Sequence, residues 1–101
     1  MARIKIGNNI KNYGDVTTLI IDLINRSNNF DSNFIVRLTY NYVQDSQLNI
    51  SEKDINRMVH NVLDSMQRNG YVSYSQDVYT LKSSNFSIEE YYKLCQAGLI
   101  I

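Results

Sequence analysis

The chain has no proline, one cysteine, one histidine and only four glycines in 101 residues, and its formal charges cancel to zero. Each scarcity removes a class of protein. The single cysteine, Cys95, excludes an intramolecular disulfide. The single histidine, His60, has no second histidine and no suitably spaced cysteine or carboxylate, which makes it a surface residue rather than a metal ligand. The scattered glycines form no phosphate-cradling loop. No apolar run reaches the length of a bilayer span or a signal-peptide core, so a soluble cytoplasmic protein is expected. With a pI near 6.5 the chain has no overall positive field to draw it to nucleic acid or an anionic membrane, and any basic contact surface must be local.

A chain of this length with 44% hydrophobic content is expected to form one domain around one core. The stretch from Ser51 to Leu81 carries the clearest local signals. Ser51 and Asp54 form a near capping box. Ile55, Val59, Val62, Leu63 and Met66, with Met58 at the edge, then make an apolar stripe of helical period. Lys53, Asn56, Arg57, His60, Asn61 and Asp64 are left to the other faces. Asn69-Gly70 closes this helix, and Arg68 suits the C-terminal dipole. Two β-prone runs, Tyr71-Val72 and Val78 to Leu81, flank a polar Ser73 to Asp77 and predict a short hairpin.

Before that stretch, residues 1–13 are read as a basic arm carrying Arg3, Lys5 and Lys11 and no acidic residue. Its isoleucines suit a first strand or a terminus packed on the domain. Asp15 is the expected cap of a helix over Val16 to Arg26, with Gly14 closing the arm. Phe34 to Val43 alternates as a strand would, yet Ile35, Leu38, Thr39, Tyr42 and Val43 also make a helical stripe behind a cap at Asp31 or Ser32. Helix is the reading adopted. Gln44 to Asn49 is a polar connector in which Leu48 and Ile50 could add a strand beside the hairpin. After residue 82, Ser87 and Glu90 make a full capping box for a last helix bearing Ile88, Tyr91, Tyr92, Leu94 and Cys95, with Gly98 as its C-cap.

The expected fold is therefore mainly α with a small β-hairpin (α+β). The segment Asp15 to Leu81 resembles a winged-helix domain, most tellingly from Ile55 to Tyr79, around the run LDSMQRNGYVSYSQDVYTL. That resemblance implies a three-helix core plus wing over residues 14–82 and an extra C-terminal helix over 83–101 suited to dimerisation. It also implies a third helix that enters the DNA major groove and a wing that touches the backbone or the minor groove. Lys53, Asn56, Arg57, His60 and Asn61 would then face double-stranded DNA, with Ser73, Tyr74, Ser75 and Gln76 at the wing and Arg3 and Lys5 on the arm.

Arginine forks onto guanine, asparagine onto adenine, and lysine or hydroxyls bind phosphate. Tyr91, Tyr92, Leu99 and Ile100 are the expected homodimer contacts, because an aromatic and aliphatic terminus is costly to leave bare. The expected function is a small DNA-binding transcriptional regulator; the alternative is an adaptor or inhibitor that grips a partner protein through the wing or last helix. No enzyme, metal or cofactor is expected: Glu89 and Glu90 are adjacent and point to different sides of a helix, and Cys95 sits on an apolar face with no base in view.

Overall fold

The structure, a computed structural model, describes residues 10–46 and 48–96. Helix α1 (Tyr13–Asn25) starts three residues earlier than the sequence predicts. Asn12 is its cap: the Asn12 side chain accepts from the Asp15 N–H at 2.9 Å, while the Asp15 carboxylate accepts from the Lys11 N–H at 2.8 Å. Those two bonds satisfy two donors at once, in the manner of a capping box shifted by one residue, and a lone Asp15 cap could not match them. Gly14 consequently lies in the first helical turn, Tyr13 belongs to the helix, and Ile10 is buried in the core at 4% exposure. The end of the basic arm is thus part of the domain.

Strand β1 (Asn29–Phe30) leads directly into helix α2 (Ser32–Gln44), capped by Asp31, which accepts from the Phe34 N–H at 2.8 Å. Ile35, Val36, Thr39 and Val43 are its buried positions, a helical spacing, so the helical reading of this ambiguous segment holds. The wholly buried Thr39 hydroxyl is satisfied by donating to the Ile35 carbonyl at 2.7 Å. Leu48 to Ile50 forms no strand; Leu48 is half-buried and Ile50 buried, two anchors of an irregular connector. The third strand of the sheet is β1 instead.

Helix α3 (Glu52–Arg68) begins at Ser51, whose hydroxyl accepts from the Asp54 N–H at 3.1 Å. Ile55, Val59, Val62, Leu63 and Met66 have no exposed surface, as their spacing predicts. At its end Gly70 takes φ +82°, so that Tyr71 N–H reaches the Met66 carbonyl at 2.8 Å and Gly70 N–H the Gln67 carbonyl at 3.2 Å, a Schellman closure. A Cβ on Gly70 would meet nothing within 4 Å, so the requirement for glycine is conformational and not steric crowding.

The chain then enters β2 (Val72–Ser75) and β3 (Val78–Leu81), paired Val72 to Leu81 through Ser75 to Val78. Gln76 (φ 52°) and Asp77 (φ 67°) form the tip, both left-handed, which matches the two-residue turn whose twist suits a hairpin. The strand order is β1-β3-β2, all antiparallel, with Phe30 opposite Tyr79. Helix α4 (Ile88–Gln96) is capped by Ser87, which accepts from the Glu90 N–H at 3.1 Å.

One core serves all of this. Val16, Leu19, Ile20, Ile21, Leu23 and Ile24 are buried around most of α1, because α2 and α3 cover one side and α4 another. Phe86 and Leu94 bring the α4 region into that same core, and Asn25 Nδ2 donates to the Phe86 carbonyl at 2.8 Å. Cys95 is half-buried beside Tyr91, whose phenol is pushed up to about 12, first by burial and then by the neighbouring Cys95 thiol. No helix among the described residues is long and apolar enough to cross a membrane.

Candidate nucleic-acid interface

The stripe that anchors α3 in the core also decides which residues it shows. With Ile55, Val59, Val62 and Met66 turned inward, Lys53, Asn56, Arg57 and His60 are exposed and Asn61 is half-buried at the border. Lys53 and His60 are seven residues apart, roughly 10 Å along the axis. The row is long enough to span several base pairs' worth of a groove. Its charge is locally balanced: Arg57 reaches Asp54 at 3.1 Å, and Arg68 reaches Asp64 at 3.1 Å. Both pairs are largely exposed, so each contributes little to stability, but each guanidinium is shared before any phosphate arrives.

The hairpin stands beside this helix. Ser73 and Thr80 face one way, and the Thr80 hydroxyl donates to the Asn29 side chain at 3.0 Å. Tyr74 and Tyr79 face the other, toward α3. Their rings lie 4.5 Å apart, and Tyr79 is stacked on the buried Phe30 at 5.6 Å with 13° between planes. This aromatic row runs from the core outward to Tyr74, which is 45% exposed. The Tyr74 hydroxyl donates to Asp77 at 3.0 Å, and that bond, followed by desolvation and the Asp77 charge, raises the phenol above 10. Burial raises Tyr79 as well, with a smaller effect of Asp64. Ser75 and Gln76 are exposed at the tip, where no lysine or arginine occurs.

Between the start of α2, the middle of α3 and the hairpin lies a hollow of about 400 Å³, with Asp31, Ser32, His60, Tyr74, Asp77 and Tyr79 in its walls. Among the described residues no group of three potential metal ligands converges, here or elsewhere. No protein-family model, curated protein or solved structure matches this chain.

Of the site residues read from the sequence, the structure brings His60 and Tyr74 to one hollow. Lys53, Asn56 and Arg57 lie along α3, and Ser73 is on the outer face of the sheet. Tyr91 is half-buried near Phe86, their ring centroids 6.4 Å apart, whereas Tyr92 is 45% exposed. Arg3, Lys5, Leu99 and Ile100 lie outside the described residues. Asp31 and Tyr79 were legible only as a helix cap and a packed strand residue; nothing in their local pattern announces that they share a hollow.

Proposed function

We propose that this chain is a winged-helix protein that binds double-stranded DNA and acts as a small transcriptional regulator. The observation that carries the reading is the order helix, short strand, helix, helix, hairpin, with the sheet arranged β1-β3-β2 so that the polar face of α3 lies open beside the hairpin. In that arrangement α3 enters the major groove with Asn56 and His60 toward base edges, and Lys53, Arg57 and the hairpin hydroxyls meet phosphates.

Few cations are available, so binding should be weakly salt-dependent. Lys53 and Arg57 alone give a slope of log affinity against log salt of about −2, and Arg3 and Lys5 would extend it to about −4. Anisotropy on random-sequence and genomic duplexes across a salt series measures this. Arg57→Ala should reduce the slope by about 1. Absence of any binding at low salt, with no effect of Arg57→Ala, overturns the proposal.

The second reading is a protein-binding adaptor, favoured by the Arg57–Asp54 pair and by a hairpin tip that carries Asp77 and no cation. It requires a negative DNA assay and a partner protein whose binding is lost in Tyr74→Ala.

Self-association belongs to either reading. Tyr13 and Tyr92 are exposed at 50% and 45%, and Tyr92 reaches the start of α1, its hydroxyl lying 3.1 Å from where a Cβ on Gly14 would sit. A two-fold contact through this α1–α4 surface would cover both rings. Sedimentation should show a dimer that Tyr92→Ala converts to monomer. A wild-type monomer at high micromolar concentration removes dimerisation from the proposal.

A further inference from the structure

The hollow between α3 and the hairpin has a chemistry that DNA binding leaves unused. Asp31 and Asp77 enter it from different elements, and neither is in an ion pair with any described residue. Each has one oxygen occupied, Asp31 by the Phe34 N–H and Asp77 by the Tyr74 hydroxyl, and among the described residues the second oxygen of each carboxylate has no partner. A phosphate is repelled there. An apolar ligand would strip water from both carboxylates without replacing its hydrogen bonds.

The aromatic wall completes the picture. Tyr74 and Tyr79 line the hollow with their rings 4.5 Å apart, and Tyr79 is stacked on Phe30, so the wall is fixed before any ligand arrives. Ring faces beside uncompensated carboxylates suit a planar cation: a guanidinium stacks on tyrosine and forks onto carboxylate oxygens, which a compact ammonium does less well. Tyr74 also belongs to β2, the strand that the order β1-β3-β2 leaves at the sheet edge. An extended segment pairing along that edge would pass directly beside Tyr74.

We propose that the hollow receives the guanidinium of an arginine from an extended basic segment of a partner protein, stacked on Tyr74 and bridged to Asp77 and Asp31. The site does not depend on α3 binding DNA. Where both bind, the peptide occupies the space between α3 and the hairpin, so the two compete.

The test is an NMR titration of the full chain with a short peptide alternating arginine and valine, beside its lysine and citrulline counterparts. Citrulline keeps the shape of arginine and removes its charge. Shifts confined to the surroundings of Asp31, His60, Tyr74 and Asp77 are expected with the arginine peptide, weaker ones with lysine and none with citrulline.

Asp31→Asn keeps a competent helix cap, and Asp77→Asn keeps a residue that tolerates a positive φ, so both variants should fold. Together they should weaken binding about tenfold or more, and Tyr74→Ala roughly fivefold, in line with charge-assisted and cation–π contacts. Asp45→Asn, which removes the same charge from an exposed site outside the hollow, should leave affinity unchanged. Equal losses in Asp45→Asn and the hollow variants, equal binding of the citrulline peptide, or no binding of the arginine peptide each overturn the proposal. A duplex that binds while the arginine peptide does not would sink this inference and leave the DNA reading standing; Arg57→Ala impairing the duplex alone would support two separate chemistries on one surface.

Discussion

Replacing Phe86 by alanine is expected to lower the free energy of unfolding by about 3–5 kcal/mol, the range for a buried phenylalanine cut back to a methyl. Phe86 is 2% exposed, set edge-on to Tyr71 at 4.9 Å and near Tyr91 at 6.4 Å, and its carbonyl is held by Asn25. Its ring is the point at which the segment before α4 enters the core. Truncation opens a cavity between α1, α3 and α4, and the neighbouring rings can refill it only by moving off their rotamers.

Urea unfolding measures the loss, and the alkaline limb of stability gives a second readout. The Tyr91 phenol is raised to about 12 from an ordinary 10, so its contribution is complete below pH 10 and is lost as pH climbs from 10 to 12. Because Tyr91 is only half-buried, solvent screening cuts that contribution to about 1 kcal/mol. In Phe86→Ala the phenol should titrate closer to 10 and the alkaline limb should flatten. A loss under about 1 kcal/mol, far below the cavity range, would mean that α4 is dispensable to the core.

The elements that were legible in the sequence are those whose signals are local. Ser51 with Asp54, the stripe from Ile55 to Met66 and the Asn69-Gly70 closure lie within one contiguous run, and α3 and the hairpin follow from them. Segment Phe34 to Val43 satisfied two periodicities, and only the core decided between them, by burying Ile35, Val36, Thr39 and Val43. The start of α1 was hidden because Gly14 reads as a breaker, while the stronger signal was the pair of bonds around it, Asp15 N–H to the Asn12 side chain and Lys11 N–H to the Asp15 carboxylate. Strand β1 has two residues and no pattern; it exists because Phe30 finds Tyr79 opposite.

The candidate surface divides in the same way. Lys53, Asn56, Arg57 and His60 follow from helical periodicity, so the exposed row was readable in advance. Asp31 and Asp77 meet only through the tertiary fold, one as the cap of α2 and the other at a hairpin tip. The local charge balance of α3 was also partly hidden: Asp54 is visible as a capping residue, but its hold on Arg57 at 3.1 Å is a matter of rotamer.

Phe30→Ala should join stability to the site. The ring is 5% exposed and stacked on Tyr79, so its loss is expected to cost about 3–4 kcal/mol. The effect should not be uniform. β1 is held by the Leu81 N–H to the Asn28 carbonyl at 2.8 Å and by the Thr80–Asn29 side-chain bond, both at the sheet's margin, so without Phe30 the Leu81 amide should exchange with solvent much faster while the α3 amides keep their order of protection.

Tyr79 would then lose the ring behind it, and Tyr74, whose position depends on Tyr79, would lose its register against Asp77. Phe30→Leu is the discriminating partner: it keeps most of the volume and should cost under about 1.5 kcal/mol, yet it removes the flat surface on which Tyr79 stacks. If Phe30→Leu stays folded and still loses arginine-peptide binding, the aromatic row positions the hollow. If it binds as the wild type does, the row serves the core alone, and the hollow owes its shape to the hairpin backbone.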